Sequence, residues 1–495
     1  MNRQITRLAV VGVTLVIALV VGTTYWQTWA APGLADRQDN AIQRVAEFEI
    51  QRGRIYAADG TLIAGNRIRR MGGQTLYFRR YPQGRLFSHA VGYSTQVRSR
   101  AGLERSLNDY LTASNEHLAT VLERTLDRLR GGTVKGNDVH LTLSTRAQRV
   151  ALQQLGNRCG SVAALDPQTG RVLVLASSPS YDPNLIEGRF GQAQRAPNAE
   201  CSQPAAPLVN RATDGLYVPG STFKVVTAAA AVDSGAAQLA TTFEDPGYCI
   251  EYGRRVYNYS DQGTPSGYGT VTLLQAIQSS INSVFCNIGK EIGAGRILEY
   301  AERFGFYSSP PVELPVDERK ASGLYRAGQP WRPEDPNQVD PGRLAFGQER
   351  LQVTPLQMAM VAGAIGHGGV VMKPFLLDRV VSPTGRTVVT TRPDELGRAV
   401  SRETATAITQ GMVAAVQSGT STAAQIPGVE VAGKTGTAES GLARVNTTAF
   451  IAFAPVGSPR VAIAVFLEEQ RGTGGATAAP IAKAVMEALL SEART

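Results

Sequence analysis

The sequence predicts an α/β protein: an antiparallel sheet flanked by helices in a large C-terminal domain, preceded by a small α+β module and one apolar N-terminal helix. Three observations predict this. An apolar run occupies residues 8–29. Two β-rich runs flank a turn in SVAALDPQTGRVLVLAS, and three more strand candidates, VEVAGKTGTA and TAFIAFAPVGSPRVAIAVFLE, return near the C-terminus. Mostly helical segments lie between the two strand groups, so the sheet draws on both ends of one unit.

Residues 1–7 carry Arg3 and Arg7, ahead of the apolar stretch from Leu8 that runs through Trp26 to Trp29. The length suits a spanning helix with its positive end inside and tryptophans at the outer interface. A cleaved signal peptide is the competing reading, since Ala30 and Ala31 are small, but Trp29 and Pro32 make a poor cleavage context. Either way, the rest of the chain is expected outside the cytoplasm.

Residues 30–143 read as a membrane-proximal module. QRGRIYAADGTLIA is a strand, an Asp59-Gly60 turn and a second strand. A basic stretch from Arg67 to Arg85 follows, then a helix over 101–130 with Leu103, Leu107, Tyr110 and Leu111 on one face.

The main domain is expected over 144–495. Ser144 is placed to cap a helix ending before Gly156. The hairpin around Asp166–Gly170 comes next, then a helical block that includes 271–306 and 354–365. The last strands follow, and a C-terminal helix over 476–492 repeats Ile481, Val485, Leu489 and Leu490 at helical spacing.

Composition narrows the function. With 43% hydrophobic and 18% charged residues the chain has a sizeable core. The net charge of +9 comes mainly from arginine, yet no run of arginines alternates with aromatics and no zinc-finger spacing occurs, which argues against nucleic acid as a partner. Cys159, Cys201, Cys249 and Cys286 form no Cys-x-x-Cys pair, so a zinc or thioredoxin-like site is poorly supported. In an oxidising compartment four cysteines more often pair. Three connectivities are open; neighbours in order, Cys159 with Cys201 and Cys249 with Cys286, is the expectation adopted.

The chemistry starts at VPGSTFKVV. Ser221 and Lys224, spaced i, i+3 at a helix start, share a side, so the amine can reach the hydroxyl. Taken alone, the bland reading is a helix cap followed by a solvated lysine. The chain has only seven lysines, and of these only Lys224 has serine three residues before it and only Lys434 begins Lys-Thr-Gly. Strand alternation aims Lys434 and Gly436 one way and Thr435 and Thr437 the other, and glycine there admits a ligand or another backbone. Ser280-Ile281-Asn282 adds a Ser-x-Asn element, a weak signal alone because Ser106-Leu107-Asn108 repeats it in the small module. His89, His117, His140 and His367 all lie outside these motifs, so a Ser-His-Asp triad is poorly supported.

In this order, Ser-x-x-Lys, Ser-x-Asn and Lys-Thr-Gly resemble the motif set of serine penicillin-recognising enzymes. The chain resembles class B penicillin-binding proteins, most of all the actinobacterial penicillin-binding protein A group. The likeness runs through RGRIYAADGTLIA, AGLERSLNDYL, LDPQTGRVLVLAS, YVPGSTFK, SSIN, FGQERLQVTPLQMA and VAGKTGTAE. FGQE and AIGHGG depart from the family's usual segments and bear on the floor of the site and ligand specificity.

The resemblance implies a penicillin-binding transpeptidase fold: a five-stranded antiparallel sheet with flanking helices, an all-helical subdomain and a dimerisation-like pedestal. It implies a cell-wall D,D-transpeptidase, with a part in division and cell shape, that passes through a serine acyl-enzyme and is acylated by β-lactams. Ser221 would be the nucleophile and Lys224 its base, with Lys434 lowering the Lys224 pKa. Ser280 would relay a proton, Asn282 would hold Lys224 and the substrate amide, and the N–H groups of Ser221 and Thr437 would form the oxyanion hole. Lys434, Thr435 and Thr437, with Gly436 between them, would receive the terminal carboxylate of D-alanyl-D-alanine. No metal or organic cofactor is required. The N-terminal module suggests contacts with division or elongation proteins. Hydrolysis by the same acyl-enzyme, as a D,D-carboxypeptidase or β-lactamase, and a catalytically reduced divisome scaffold are the alternatives. The stretch before Ser144 is too short for a usual glycosyltransferase domain.

Overall fold

A computed structural model describes residues 2–26, 48–71, 74–96, 98–114, 133–258, 266–439 and 445–492. The end of the expected span (27–29), His117 and most of the expected 101–130 helix lie outside them. Its described part is two short helices, Gly102–Ser106 and Asn108–Leu111, interrupted at Leu107.

Residues Asn2–Tyr25 form a 24-residue helix, α1, along which Val10, Leu15, Ile17 and Leu19 are exposed. By length and hydropathy together, no helix among the described residues is long and apolar enough to cross a membrane.

The small module is built on β1 (Ile55–Tyr56), β2 (Leu62–Met71), β3 (Gln74–Arg80) and β4 (Asp138–Leu141). The Asp59-Gly60 turn forms as expected: Asp59 Oδ1 accepts from the Thr61 N–H at 3.0 Å, and Gly60 takes φ +80°. Leu377–Val381 and Thr387–Thr390 extend this sheet beyond β4, so it has six strands and takes two from beyond residue 143.

In the main domain, α2 (Thr145–Leu155) starts where the Ser144 hydroxyl accepts from Ala147 N, and it stops at Gly156. The predicted hairpin is β5 (Gly160–Leu165) and β6 (Val172–Ser178). Helices α3 (Lys224–Asp233), α4 (Leu273–Ser279), α5 (Asn282–Arg303), α6 (Pro355–Gly366) and α7 (Arg402–Ser418) follow. The chain returns through β7 (Ala432–Glu439), β8 (Asn446–Ala454) and β9 (Val461–Gln470) and closes with α8 (Gly474–Glu492). All five strands are antiparallel, in the order β7-β8-β9-β5-β6.

These strands are apolar almost throughout because both faces are covered, and their period of two sorts the side chains into two cores. Ala462, Ala464 and Phe466 of β9 join one core with α3, α5 and α6. Val461, Ile463 and Val465 join the other, with Ala147 and Ala151 of α2 and Ile481 and Val485 of α8. A fully buried side chain of this kind contributes about 1.5–3 kcal/mol. The sheet is thereby fixed from both sides, and its edge strand β7 is held rigid beside the helical block.

Two expectations are corrected. The block between the strand groups is not all-helical. Short ribbons pair Thr242–Asp245 with Gly269–Thr272 and Tyr248–Glu251 with Arg254–Tyr257, because β-branched and aromatic residues alternate with polar ones there. Cys159 and Cys201 are disulfide-bonded as expected, but Cys249 and Cys286 are free, buried thiols. The Cys286 thiol donates instead to Glu251 Oε1 at 2.7 Å.

Candidate active site

The three motifs meet in the cleft between β7 and the helical block. Ser221 lies in a 3₁₀ turn, Gly220–Phe223, that runs directly into α3. Gly220 takes φ +52°, and a Cβ there would lie 2.9 Å from Thr437 O and 3.4 Å from Thr437 N. Only glycine lets the turn approach the β7 backbone this closely. The Gly220 N–H donates to Gly347 O at 3.1 Å, so the FGQE segment forms a floor under the turn. Thr222 Oγ1 donates to Pro219 O at 2.8 Å. Phe223 is buried edge-on to Phe306. Neither the turn nor α3 has a side-chain cap. Ser221 is therefore not a helix cap; it is half-buried, one turn ahead of Lys224.

Lys224 is 1% exposed, at the start of a helix whose residues Val225–Ala231 are all buried. Its Nζ donates to Ser280 O at 2.7 Å, Asn282 Oδ1 at 2.8 Å and Ser280 Oγ at 3.4 Å. Among the described residues no hydrogen bond joins it to the Ser221 hydroxyl. Such contacts are often long without substrate.

Ser280 ends α4 in a left-handed conformation, φ 58° and ψ 43°. For a non-glycine residue this is a costly backbone, about 1–3 kcal/mol, and it turns the hydroxyl between two lysines. Asn282 opens α5 and donates through Nδ2 to Tyr257 O at 3.0 Å.

β7 pairs with β8 without a bulge from Ala432 to Glu439, so strand alternation holds through Lys-Thr-Gly-Thr. Lys434, fully buried, donates through Nζ to Ser280 Oγ at 2.7 Å and to Thr435 O at 3.2 Å. A Cβ on Gly436, on the same face, would lie 2.6 Å from Pro219 O and 2.9 Å from Thr222 Cγ2. The two threonines take the opposite face. Thr435 Oγ1 donates to Thr420 Oγ1 at 2.9 Å, and Thr437 Oγ1 accepts from the Gly474 N–H at 3.2 Å, at the start of α8.

Burial, and then the neighbouring Lys434 ammonium, hold Lys224 well below the usual lysine range, while Cys249 pulls weakly the other way. Burial lowers Lys434 to about 7. The structure thus brings together Ser221, Lys224, Ser280, Asn282, Lys434 and Gly436, with the Thr437 backbone against the nucleophile turn. A lysine whose charge burial disfavours, one turn from a serine, plus a relay hydroxyl and a second lysine, is equipped for acyl transfer.

Sequence reasoning missed the support behind this site. Asp245 Oδ1 accepts from Ser283 Oγ at 2.5 Å, Gly247 N at 2.8 Å and Asn258 Nδ2 at 3.0 Å, and Asn258 Oδ1 accepts from Ser283 N at 3.1 Å. This knot fastens the ribbons to α5 immediately after Asn282. Ser283 adjoins a recognised motif, but nothing local marked Asp245 or Asn258.

Residues 160–487 match the penicillin-binding protein transpeptidase domain, and residues 52–139 match the penicillin-binding protein A dimerisation domain. The chain is 36% identical to the peptidoglycan D,D-transpeptidase PbpA of Mycolicibacterium smegmatis over 99% of this chain and 100% of that one. It is 35% identical to PbpA of Mycobacterium tuberculosis, over 99% of each. The ceftriaxone acyl-enzyme complex of penicillin-binding protein A from M. tuberculosis superposes with a TM-score of 0.77 at 34% identity, covering 90% of this chain and all of that one.

Proposed function

The chain belongs to the penicillin-binding protein transpeptidase family, and from that premise we propose that Ser221 is the nucleophile through which it cross-links peptidoglycan. The protein is a peptidoglycan D,D-transpeptidase of the serine type, acylated by β-lactams. Its substrates are stem peptides ending in D-alanyl-D-alanine.

Neutral Lys224 takes the Ser221 proton as Oγ attacks the penultimate D-alanine carbonyl. The oxyanion that forms is met by the N–H groups of Ser221 and Thr437. The C–N bond then breaks, and the proton passes from Lys224 through Ser280 Oγ to the departing D-alanine nitrogen. An amine of a neighbouring stem peptide attacks the acyl-enzyme, gives up its proton along the same route in reverse, and leaves a 4→3 cross-link with Ser221 free. Lys434 holds the Ser280 hydroxyl and supplies charge for the substrate carboxylate, which Thr435 and Thr437, on the opposite face of β7, receive by turning their hydroxyl donors to the strand edge. Asn282 fixes Lys224 and exchanges its bond to Tyr257 O for the substrate amide.

One observation carries this reading: Ser280 Oγ lies within hydrogen-bond distance of both Lys224 Nζ and Lys434 Nζ. Incubation with a fluorescent penicillin is expected to add one acyl mass, mapped to Ser221, and Ser221→Ala is expected to abolish it. Covalent labelling that survives in Ser221→Ala would falsify the assignment. Donor peptide supplied with an amine acceptor should yield exchanged product rather than hydrolysed acid alone.

The N-terminal helix α1, with its exposed apolar flank, attaches the protein to the cell membrane, leaving the catalytic domain outside the cytoplasm. Retention of the full chain in the membrane pellet after alkaline carbonate washing supports this; release into the supernatant overturns it. The N-terminal module is the contact surface for division or elongation proteins. Photo-crosslinking from exposed Ile68 in growing cells should give discrete adducts, and their absence counts against this role.

A further inference from the structure

A second site lies in the N-terminal module. A cavity of about 670 Å³ opens between the β2–β3 hairpin and the loops around Thr95 and Asn184. Arg67, Arg69, Arg79 and Arg80 line it, as do Phe48 and Phe78, whose rings stack at 5.5 Å between centroids. Arg69 lies over the Phe78 ring at 5.4 Å. Among the described residues of the lining the one carboxylate is Glu187, which is engaged by the Gln96 N–H at 2.8 Å.

Arg79 is the residue the fold leaves unfinished. Its side chain is 3% exposed, and its Nε donates to Glu104 Oε1 at 2.6 Å. Both terminal nitrogens, Nη1 and Nη2, are buried with no hydrogen-bond partner among the described residues. Glu104 cannot supply the missing acceptor, because Oε2 takes Arg52 Nε at 2.8 Å and Oε1 takes the Tyr81 hydroxyl at 3.3 Å besides Arg79 Nε. Arg52, by contrast, is satisfied: Nη1 donates to Asn108 Oδ1 and Nη2 to Glu104 O. Two buried guanidinium groups thus share a single carboxylate, and the uncompensated one carries the open fork. A buried cation with unmet donors is costly, and a planar fork of N–H groups matches a carboxylate.

We propose that this cavity binds an extended acidic peptide, with an aspartate or glutamate side chain accepting from Nη1 and Nη2 of Arg79. The cavity is far larger than one small ion needs, and the Phe48–Phe78 wall gives apolar contact for neighbouring side chains. Arg67 and Arg69, exposed on β2, add charge at the mouth. The site is separate from the Ser221 cleft, so acylation of Ser221 serves as its folding control.

The test is fluorescence anisotropy of a labelled hexapeptide of alternating glutamate and phenylalanine with the full chain in detergent. Saturable binding is expected that weakens with added salt and is lost when glutamine replaces glutamate. Arg79→Lys removes the fork and should weaken binding by about tenfold or more, the scale of one lost charged hydrogen bond. The exposed pair Arg67→Gln/Arg69→Gln should weaken it in the same direction, with penicillin labelling of Ser221 unchanged. If Arg79→Lys does not fold, the surface pair decides. No saturable binding, equal affinity in wild type and the surface pair, or equal affinity for the glutamine peptide overturns the proposal. So does displacement of the peptide by inorganic phosphate at equal concentration, which would mark a small-anion site only.

Discussion

Lys224 and Lys434 converge on the hydroxyl of Ser280, at 3.4 and 2.7 Å. Two buried cations on one small dipole repel each other, and the cheapest relief is for one to lose its proton. The arrangement makes an amine of Lys224 without calling on any histidine.

That relationship predicts a pH shift. The acylation rate should rise with pH as Lys224 deprotonates. Lys434→Met removes the neighbouring cation, so the Lys224 pKa rises and the ascending limb moves to higher pH; the rate at neutral pH should fall by roughly 10²–10⁴-fold. Stopped-flow labelling with a fluorescent penicillin between pH 6 and 10 measures both. An unmoved limb with a lower plateau would leave Lys434 a substrate ligand only.

Gly436 carries a steric prediction. A methyl group there would press on Pro219 O at 2.6 Å and push the nucleophile turn off β7. Gly436→Ala should therefore lower acylation by about a hundredfold, the scale of a misplacement near 1 Å. The fold should persist, because the glycine is at a sheet edge. Circular dichroism and labelling kinetics together distinguish misplacement from unfolding.

The Asp245 knot should matter for both stability and rate. Asp245 is 2% exposed and accepts from four groups, Ser283 Oγ, Asn258 Nδ2 and the N–H groups of Gly247 and Tyr268, that its removal would strand. Asp245→Ala is expected to cost roughly 2–4 kcal/mol in denaturant unfolding and to slow acylation through Asn282. Unchanged stability would show that water replaces the carboxylate without loss.

Much of this was legible in the sequence because period and punctuation agree. Ser144 and Gly156 bracket α2, the Asp166–Gly170 turn joins β5 to β6, and the apolar runs β8 and β9 reflect a sheet covered on both faces. The site was legible as three short motifs because each fixes its own local geometry. What escaped depends on contacts distant in sequence. The strand Leu377–Val381 pairs with β4 across the domain boundary. The Cys286 thiol donates to Glu251 because the ribbon Tyr248–Glu251 delivers a carboxylate to it, a contact no spacing rule records. Asp245 and Asn258 lie in loop-like sequence and acquire their role only when the ribbons fold onto α5.

The depressed lysines also predict how stability depends on pH. Lys434 has a folded pKa of about 7, below its ordinary value of 10.5, because burial disfavours its charge. Above pH 7 the folded state holds this lysine neutral while the unfolded chain keeps it protonated, so the unfolded state binds more protons. Stability then rises with pH between about 7 and 10.5 and is lost as pH falls back toward 7; below 7 both states are protonated and the dependence ends. Lys224, shifted in the same direction, adds to the slope. Urea melts at pH 7, 8 and 9 should show wild type gaining stability relative to Lys434→Met across this window. Parallel curves for the two proteins would mean that Lys434 stays charged in the folded cleft and that the repulsion on Lys224 is correspondingly stronger.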